Sequence, residues 1–307
     1  MTGGAGFIGS HIAEALVGLG HRVRILDDFS TGSMKNLAGF EDKLEIVKGS
    51  IIDGDAVEQS VQDVNFIFHE AALVSVPESI KEPRKTFSIN IEGTRMILEA
   101  ARKCSCRKVV LASSAAVYGP SPPPLGEDAP TKTLSPYGES KLQAERLMKE
   151  YNSSGLPVVS LRYFNVYGPR QNSSSPYSGV IAKFTDCFLD ARAPVIFGDG
   201  KQTRDFIYVK DVVRANLLAM EKEKADGEAI NIATGKPTSL NELVEIFGKI
   251  TGSDIRPIYR EGRAGDITHS YANISKANRL LEFKATYFLE KGLGETLEWR
   301  KTSMAYS

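Results

Sequence analysis

The sequence has little cysteine, no long hydrophobic run and no excess of either charge, and each lack removes a class of function. Three cysteines among 307 residues, Cys104, Cys106 and Cys187, are too few and too oddly numbered for a disulfide framework. No second Cys or His cluster stands near Cys104-Ser105-Cys106, and His11, His21, His69 and His269 lack metal-ligand spacing, so no metal is expected. No apolar run approaches the ~18 residues that read as a membrane span, and the N-terminus carries no basic flank or cleavage site of a signal peptide. A cytoplasmic protein without membrane contact is the expectation, and the sequons at Asn152, Asn172 and Asn273 read as chance matches. Thirty-eight Lys plus Arg against 38 Asp plus Glu leave a net charge of zero, which excludes the one-sided basic field of a nucleic-acid binder. With 42% apolar and 25% charged residues, ordinary globular composition remains.

What is present is alternation. Short β-branched runs at 23–26, 44–47, 64–68, 108–111 and 158–161 alternate with helix-patterned stretches. Ile12, Ala15, Leu16 and Leu19 show helical spacing, as do Met96, Ile97 and Ala100, and then Leu142, Leu147 and Tyr151. That order predicts an α/β fold around a doubly wound parallel sheet. Beyond about Gly168 the pattern is interrupted by Pro169, Pro176, Pro194 and Gly198-Asp199-Gly200, with helices expected over about 211–222 and 239–251.

Thr2-Gly3-Gly4-Ala5-Gly6-Phe7-Ile8-Gly9 satisfies G-x-x-G-x-x-G at Gly3, Gly6 and Gly9, and G-x-G-x-x-G at Gly4, Gly6 and Gly9. Glycines there allow a tight turn and let backbone N–H groups and a helix N-terminus approach a pyrophosphate. A helix pattern and a strand follow, and the strand ends at Asp27, eighteen residues after Gly9, where a carboxylate accepts the adenosine ribose hydroxyls. Asp27, with no Arg in the next several residues, repels a 2′-phosphate and favours NAD over NADP. Asp28 reads as a loop acid. Such a loop is normally fed by a central strand of about five apolar residues, yet only Met1 and Thr2 lead into it. That strand is worth roughly 8 to 15 kcal/mol at about 1.5 to 3 kcal/mol per buried side chain, which rivals the whole stability of a domain. The expectation is a natural chain that starts several residues earlier, or a sheet weakened at its centre.

Ser113-Ser114 closes the strand begun at Lys108, and Tyr137-Gly138-Glu139-Ser140-Lys141 opens a helix 23 residues beyond Ser114. Four residues of helix put Tyr137 and Lys141 on one face, so the ammonium is expected to lower the phenol's pKa towards neutrality. Such a phenol beside a nicotinamide is a general base.

These motifs recur with His69-Glu70-Ala71-Ala72, Asn90-Ile91-Glu92-Gly93-Thr94, Ser113 to Gly119, Leu161 to Pro169, Arg204 to Val209 and Arg263-Ala264-Gly265-Asp266. Together they make the sequence resemble the extended short-chain dehydrogenase/reductase family nearly end to end. Within it, the nucleotide-sugar 4-epimerases acting on UDP-glucose/galactose and their N-acetylated forms are the nearest match. The resemblance implies an NAD-binding Rossmann domain over 1–168, with part of the later chain packing back onto it. A smaller, partly interleaved α/β nucleotide-sugar domain would cover 169–307. It also implies a homodimer formed by the helices around 91–103 and 137–151.

The implied reaction is redox-neutral epimerisation: Tyr137 takes the proton from the sugar's 4-hydroxyl, NAD accepts the carbon-4 hydride, and the 4-keto sugar regains it on its other face. Ser114 would hold the reacting oxygen and Lys141 the nicotinamide ribose. The implied cofactor contacts are Gly3, Gly6, Phe7, Ile8, Gly9, Asp27, Ser30, Ile51, Ala71, Ala72, Asn90, Lys141 and Tyr163. On the substrate side the resemblance implies Ser75, Ser114, Tyr137, Asn165, Val180 and the uracil strand from Val195 to Phe197. Arg204 and Arg263 would bind the diphosphate, since guanidinium forks suit phosphate oxygens, unless each is a domain-interface salt bridge. Asp266 would bind the uridine ribose, and Ser270 would border the sugar.

Ala115 and Ala116 stand where sugar-nucleotide dehydratases and decarboxylases place an acid, which disfavours both reactions. Three departures from the 4-epimerase pattern bear on affinity: Ala116 replaces a Thr or Ser, Val74 a Lys near the cofactor phosphates, and Ser50 an Asp at the adenine. Ser270 lies where a bulky aromatic closes the pocket in epimerases limited to non-acetylated sugars, and so points to UDP-N-acetylglucosamine alongside or ahead of UDP-glucose. A UDP-glucuronate 4-epimerase shares the Ser, Tyr and Lys and is the competing enzyme. A non-catalytic NAD-binding protein on the same fold is the competing class, with intact Tyr137 and Lys141 against it.

Overall fold

A computed structural model of the chain describes residues 1–172, 179–262 and 265–305. In the first half, α1 (Phe7–Gly18) leads to β1 (Val23–Asp27) and β2 (Leu44–Lys48). Next come α2 (Gly54–Val61), β3 (Phe66–His69), α3 (Val76–Lys81), α4 (Pro83–Phe87), a π-turn over Ser88–Glu92 and α5 (Gly93–Lys103). Then follow β4 (Lys108–Ser114), α6 (Pro136–Ser153), β5 (Val158–Tyr163) and β6 (Asn165–Tyr167). The second half holds α7 (Val180–Leu189), β7 (Val195–Phe197), β8 (Thr203–Tyr208), α8 (Val209–Glu221), β9 (Ala229–Ile232) and β10 (Pro237–Ser239). It ends with α9 (Leu240–Thr251), β11 (Ile258–Arg260), β12 (His269–Ser270), α10 (Ser275–Leu281) and α11 (Leu289–Ala305).

The five apolar runs of the first half coincide with β1 to β5, and all of them pair in parallel: β1 with β2, and β3-β4-β5-β9 in a second ladder. Thr2 joins the two ladders, bridging Leu26 on one side and His69 on the other. Thr2 N donates to Phe68 O at 3.0 Å and Gly3 N to Leu26 O at 2.9 Å. The place expected for a longer central strand is thus held by Met1 and Thr2.

Strand alternation sends successive side chains to opposite layers. Ile25, Phe68, Val110, Ala112, Val159 and Leu161 pack with α1, α8 and α10, while Leu26, Ile67, Val109, Leu111 and Val158 pack with α2, α5 and α6. Both faces of the sheet are therefore covered, as a parallel sheet requires. β9 comes from the second half yet pairs with β5, so the later chain returns to the first sheet. The remaining strands are short: β8 is flanked by β10 (antiparallel) and β12 (parallel) and also pairs with β6, and β11 pairs with β7. They pack with α7, α9 and α11 around Phe184, Phe188, Phe206 and Phe247. Among the described residues, no helix is long and apolar enough to cross a membrane.

Candidate active site

The glycine loop crosses the sheet centre with no room for side chains. Gly3 has φ +66°, and a Cβ on it would lie 2.7 Å from Ala71 N; a Cβ on Gly9 would run into the Gly3 carbonyl. α1 starts with Gly6 as its N-cap, no capping side chain and no acid in its first turn, so its leading N–H groups are left for an outside anion. Phe7 turns edge-on to His11 and Ile8 packs on the core, which leaves their backbone for a ligand. Asp27 is fixed beneath the loop by accepting from Ala5 N at 2.8 Å and Phe29 N at 2.9 Å, and burial pushes its pKa up. A cradle that any Cβ would fill, a bare helix N-terminus and a strand-end carboxylate fit a dinucleotide.

Other expected cofactor residues divide by what their side chains do. Ala71 N donates to Thr2 Oγ1 at 3.2 Å, and Ala72 follows it, half-buried. The Ser30 hydroxyl donates to Asp28 at 2.6 Å. Ile51 buries its side chain against Gly93, so only its backbone can face a ligand. Asn90 uses both amide hydrogens, on Leu73 O at 3.0 Å and Ser140 Oγ at 2.9 Å, and accepts from Leu73 N. Its side-chain amide thereby ties the chain after β3 to α6.

Ser135 caps α6 by accepting from Gly138 N at 3.1 Å, and Pro136 takes the first helical position, which places Tyr137 in the first turn. The Ser114 hydroxyl, at the end of β4, lies within hydrogen-bonding reach of the Tyr137 phenol and also accepts from Ala116 N at 3.2 Å. The expected lowering of Tyr137 by Lys141 is not what the structure shows. Burial pushes the phenol up, opposed by Ser114, while the Lys141 ammonium reaches past it to donate to Ala112 O at 2.7 Å. Sharing a helix face did not make the two head groups partners, because the long lysine stem runs on to β4. Burial also brings Lys141 down to about 8.

Three buried clusters support this centre and escaped the sequence reading. Glu145 and Arg162 form a two-point ion pair at 2.7 and 2.9 Å, completed by Ser113 Oγ, Tyr118 and Asn231. Glu70 accepts from Tyr163, whose phenol oxygen accepts from Asn216. Thr94 Oγ1 donates to Asn90 O at 2.6 Å, so it accepts from His69 Nε2, 3.0 Å away, and the bare Nδ1 accepts from Thr2 Oγ1 at 2.7 Å. This neutral ring, with its pKa brought down to about 3 by burial, ties the loop to α5. Each cluster joins residues far apart in sequence, so no local spacing announced it.

In the second half of the chain, β8 carries Arg204, which donates to Thr203 O at 2.9 Å and is lowered in pKa by burial against the opposing pull of Asp266. Asp205 accepts from Thr234 N at 2.8 Å, Gly235 N at 2.9 Å and Ala272 N at 3.3 Å, which ties β8 to the end of β9 and to the chain after β12. Ser270 is therefore held directly beside Arg204 in the β12–β8 register. Asn165 donates to Asp205 O at 3.3 Å, Ser75 caps α3, Val180 opens α7, and Val195 and Phe197 end β7. Arg263 lies outside the described residues.

The NAD dependent epimerase/dehydratase family model matches residues 1–233. The chain belongs to that family. As a member it is an NAD-using enzyme. It is 42% identical to a putative UDP-glucose 4-epimerase of Methanocaldococcus jannaschii over 99% of this chain and 98% of the relative. It is 37% identical to a UDP-N-acetyl-alpha-D-glucosaminuronate decarboxylase of Bacillus cytotoxicus over 97% of this chain and 96% of the relative. Among solved structures it is similar to the UDP-N-acetylglucosamine 4-epimerase of Methanobrevibacter ruminantium M1 in complex with UDP-N-acetylmuramic acid. That match has a TM-score of 0.94 and 42% identity, covering 99% of this chain and 97% of the other.

Proposed function

We propose that this family member interconverts UDP-sugars epimeric at carbon 4, accepting N-acetylated sugars. The observation that carries the reading is the Ser114–Tyr137 pair beside Lys141 at the end of β4, followed by Ala115 and Ala116 in place of any acid. Bound NAD supplies a hydride acceptor and the positive charge of its oxidised ring. Tyr137 removes the proton from the sugar's 4-hydroxyl, Ser114 holds that oxygen, and Lys141 steadies the cofactor ribose. Tyr137 later returns the proton, so no external acid, metal or net redox change is needed. Arg204 and Arg263 take the diphosphate, and Asp266 the uridine ribose. The small Ser270 beside Arg204 leaves space for an N-acetyl group.

A second reading, a carboxylated UDP-sugar, is favoured by the decarboxylase relative, and UDP-glucuronate epimerisation is its form without an extra acid. Incubation with UDP-glucose, UDP-N-acetylglucosamine and UDP-glucuronate, followed by sugar separation, tests both. Turnover confined to UDP-glucuronate, or release of carbon dioxide, would overturn the main reading. Ser270→Tyr should then depress UDP-N-acetylglucosamine turnover selectively, and equal loss on both neutral sugars would remove the role given to Ser270.

The same reading divides the chain into an NAD-binding unit, 1–168, and a nucleotide-sugar unit, 169–307. It places the enzyme in a reducing cytoplasm, which suits the free thiols of Cys104, Cys106 and Cys187. It also makes the enzyme a homodimer through α5 and α6, where Arg102 stacks on Tyr151 at 5.5 Å; light scattering checks the mass.

A further inference from the structure

Glu70 is a carboxylate that the proposed chemistry does not use. It follows β3 at the point where the glycine loop abuts the sheet: Glu70 N donates to Thr2 O at 3.3 Å, and its carbonyl carbon would lie 3.0 Å from a Cβ on Gly3. Tyr163 Oη donates to Glu70 Oε1 at 2.8 Å and accepts from Asn216 Nδ2 at 2.7 Å. The same amide nitrogen donates to Val212 O at 2.9 Å, which fixes the amide's orientation and commits the phenol proton to Glu70. Tyr163 pairs with Ser114 across β4 and β5, and Lys141 is anchored on Ala112 of β4. The carboxylate therefore stands one strand from the catalytic serine and lysine, on a two-residue tether that reaches α8.

We propose that Glu70 tunes the redox balance of the bound cofactor, its carboxylate stabilising the cationic oxidised nicotinamide over the neutral reduced ring. This rests on reading Ser114, Tyr137 and Lys141 as the nicotinamide site. The chemistry needs such a bias: the two electrons taken from carbon 4 must go back to carbon 4, and a reduced ring that is held less firmly returns its hydride before the keto sugar escapes. Burial raises the Glu70 carboxyl to about 7, against the pull of Lys141 and the Tyr163 hydrogen bond. The groups facing it are Lys141 from α6, Tyr163 from β5 and, through Tyr163, the neutral Asn216 from α8.

Purified protein is equilibrated with defined mixtures of NAD and NADH at pH 7.5, free nucleotide is removed, and the bound composition is read by absorbance. Glu70→Gln keeps the shape and removes the charge, and should move the ratio of affinities about tenfold towards NADH, the size of effect one charge has at a partly buried site. Removing the tether also removes a pull that holds the Glu70 carboxyl down, so the tether is tested with the charge already gone: adding Tyr163→Phe to Glu70→Gln should move the ratio by less than about twofold more. An unchanged ratio in Glu70→Gln overturns the proposal, as does a further shift of equal size when Tyr163→Phe is added to it, which would assign the effect to the tether. Wild-type protein that holds neither nucleotide overturns the site reading and this proposal with it. If Glu70→Gln does not fold, the ratio on unaltered protein at pH 7 and at pH 6 decides: with its pKa about 8 Lys141 is mostly charged at both, so protonating Glu70 should move the ratio towards NADH, and a flat ratio overturns the proposal.

Discussion

Arg204→Met separates a ligand-binding cation from a structural one. The guanidinium is partly buried, gives one hydrogen bond to Thr203 O, and has its pKa lowered because burial outweighs the attraction of Asp266. A cation that the fold desolvates without neutralising is poised for an anion from outside the chain. Methionine keeps the packing of the stem. The substitution loses one hydrogen bond, about 1 kcal/mol, and recovers the cost of desolvating the charge, so stability should change by less than about 1 kcal/mol, a few degrees of melting temperature at most. A phosphate held by two charge-assisted hydrogen bonds at about 1.5 to 3 kcal/mol each should instead be released roughly 10² to 10⁴-fold more readily. Calorimetric titration with UDP, run beside a thermal melt, reads both quantities. A stability loss of about 3 to 5 kcal/mol with UDP affinity intact would refute the reasoning and make Arg204 a domain-interface ion pair.

Four further outcomes follow from named contacts. Tyr137→Phe should cut turnover by at least about 10³-fold, the upper range of general-base effects, with NAD retained; loss of bound NAD instead would make Tyr137 a binding residue. Gly9→Ala drives a Cβ into the Gly3 carbonyl and should abolish NAD binding in a titration. Arg162→Met strands the Glu145 carboxylate next to Ser113 and should cost about 3 to 5 kcal/mol in urea unfolding, with more than half recovered in the double variant that adds Glu145→Gln. His69 is held neutral, with a folded pKa of about 3 against 6.5 unfolded. Its contribution is complete above pH 6.5 and is lost as pH falls towards 3, roughly 5 kcal/mol in all. Urea midpoints at pH 7, 5.5 and 4 should fall more gently in His69→Asn.

Elements were legible where one local pattern decided them. The parallel strands are buried on both faces and so read as continuous apolar runs, and β1 to β5 fell where Val23–Leu26 and its counterparts stand. The glycine loop was legible because a Cβ at Gly3 or Gly9 has nowhere to go. What stayed hidden depended on tertiary neighbours. The i, i+4 spacing placed Tyr137 and Lys141 on one face but could not say that the lysine would choose the Ala112 carbonyl. Asn90 looked like a cofactor contact by its motif, and only the fold shows its amide engaged by Leu73 and Ser140. Glu70, His69 and Glu145 meet their partners across 17 to 93 positions of sequence and on different elements, and only an assembled fold pairs them.

The most direct test of the account is a product assay. Purified enzyme with NAD and UDP-N-acetylglucosamine should form UDP-N-acetylgalactosamine, with no net gain of absorbance from reduced nicotinamide and no activity in Tyr137→Phe. Stoichiometric NADH, a dehydrated or decarboxylated product, or no epimer from any of the three UDP-sugars would contradict it.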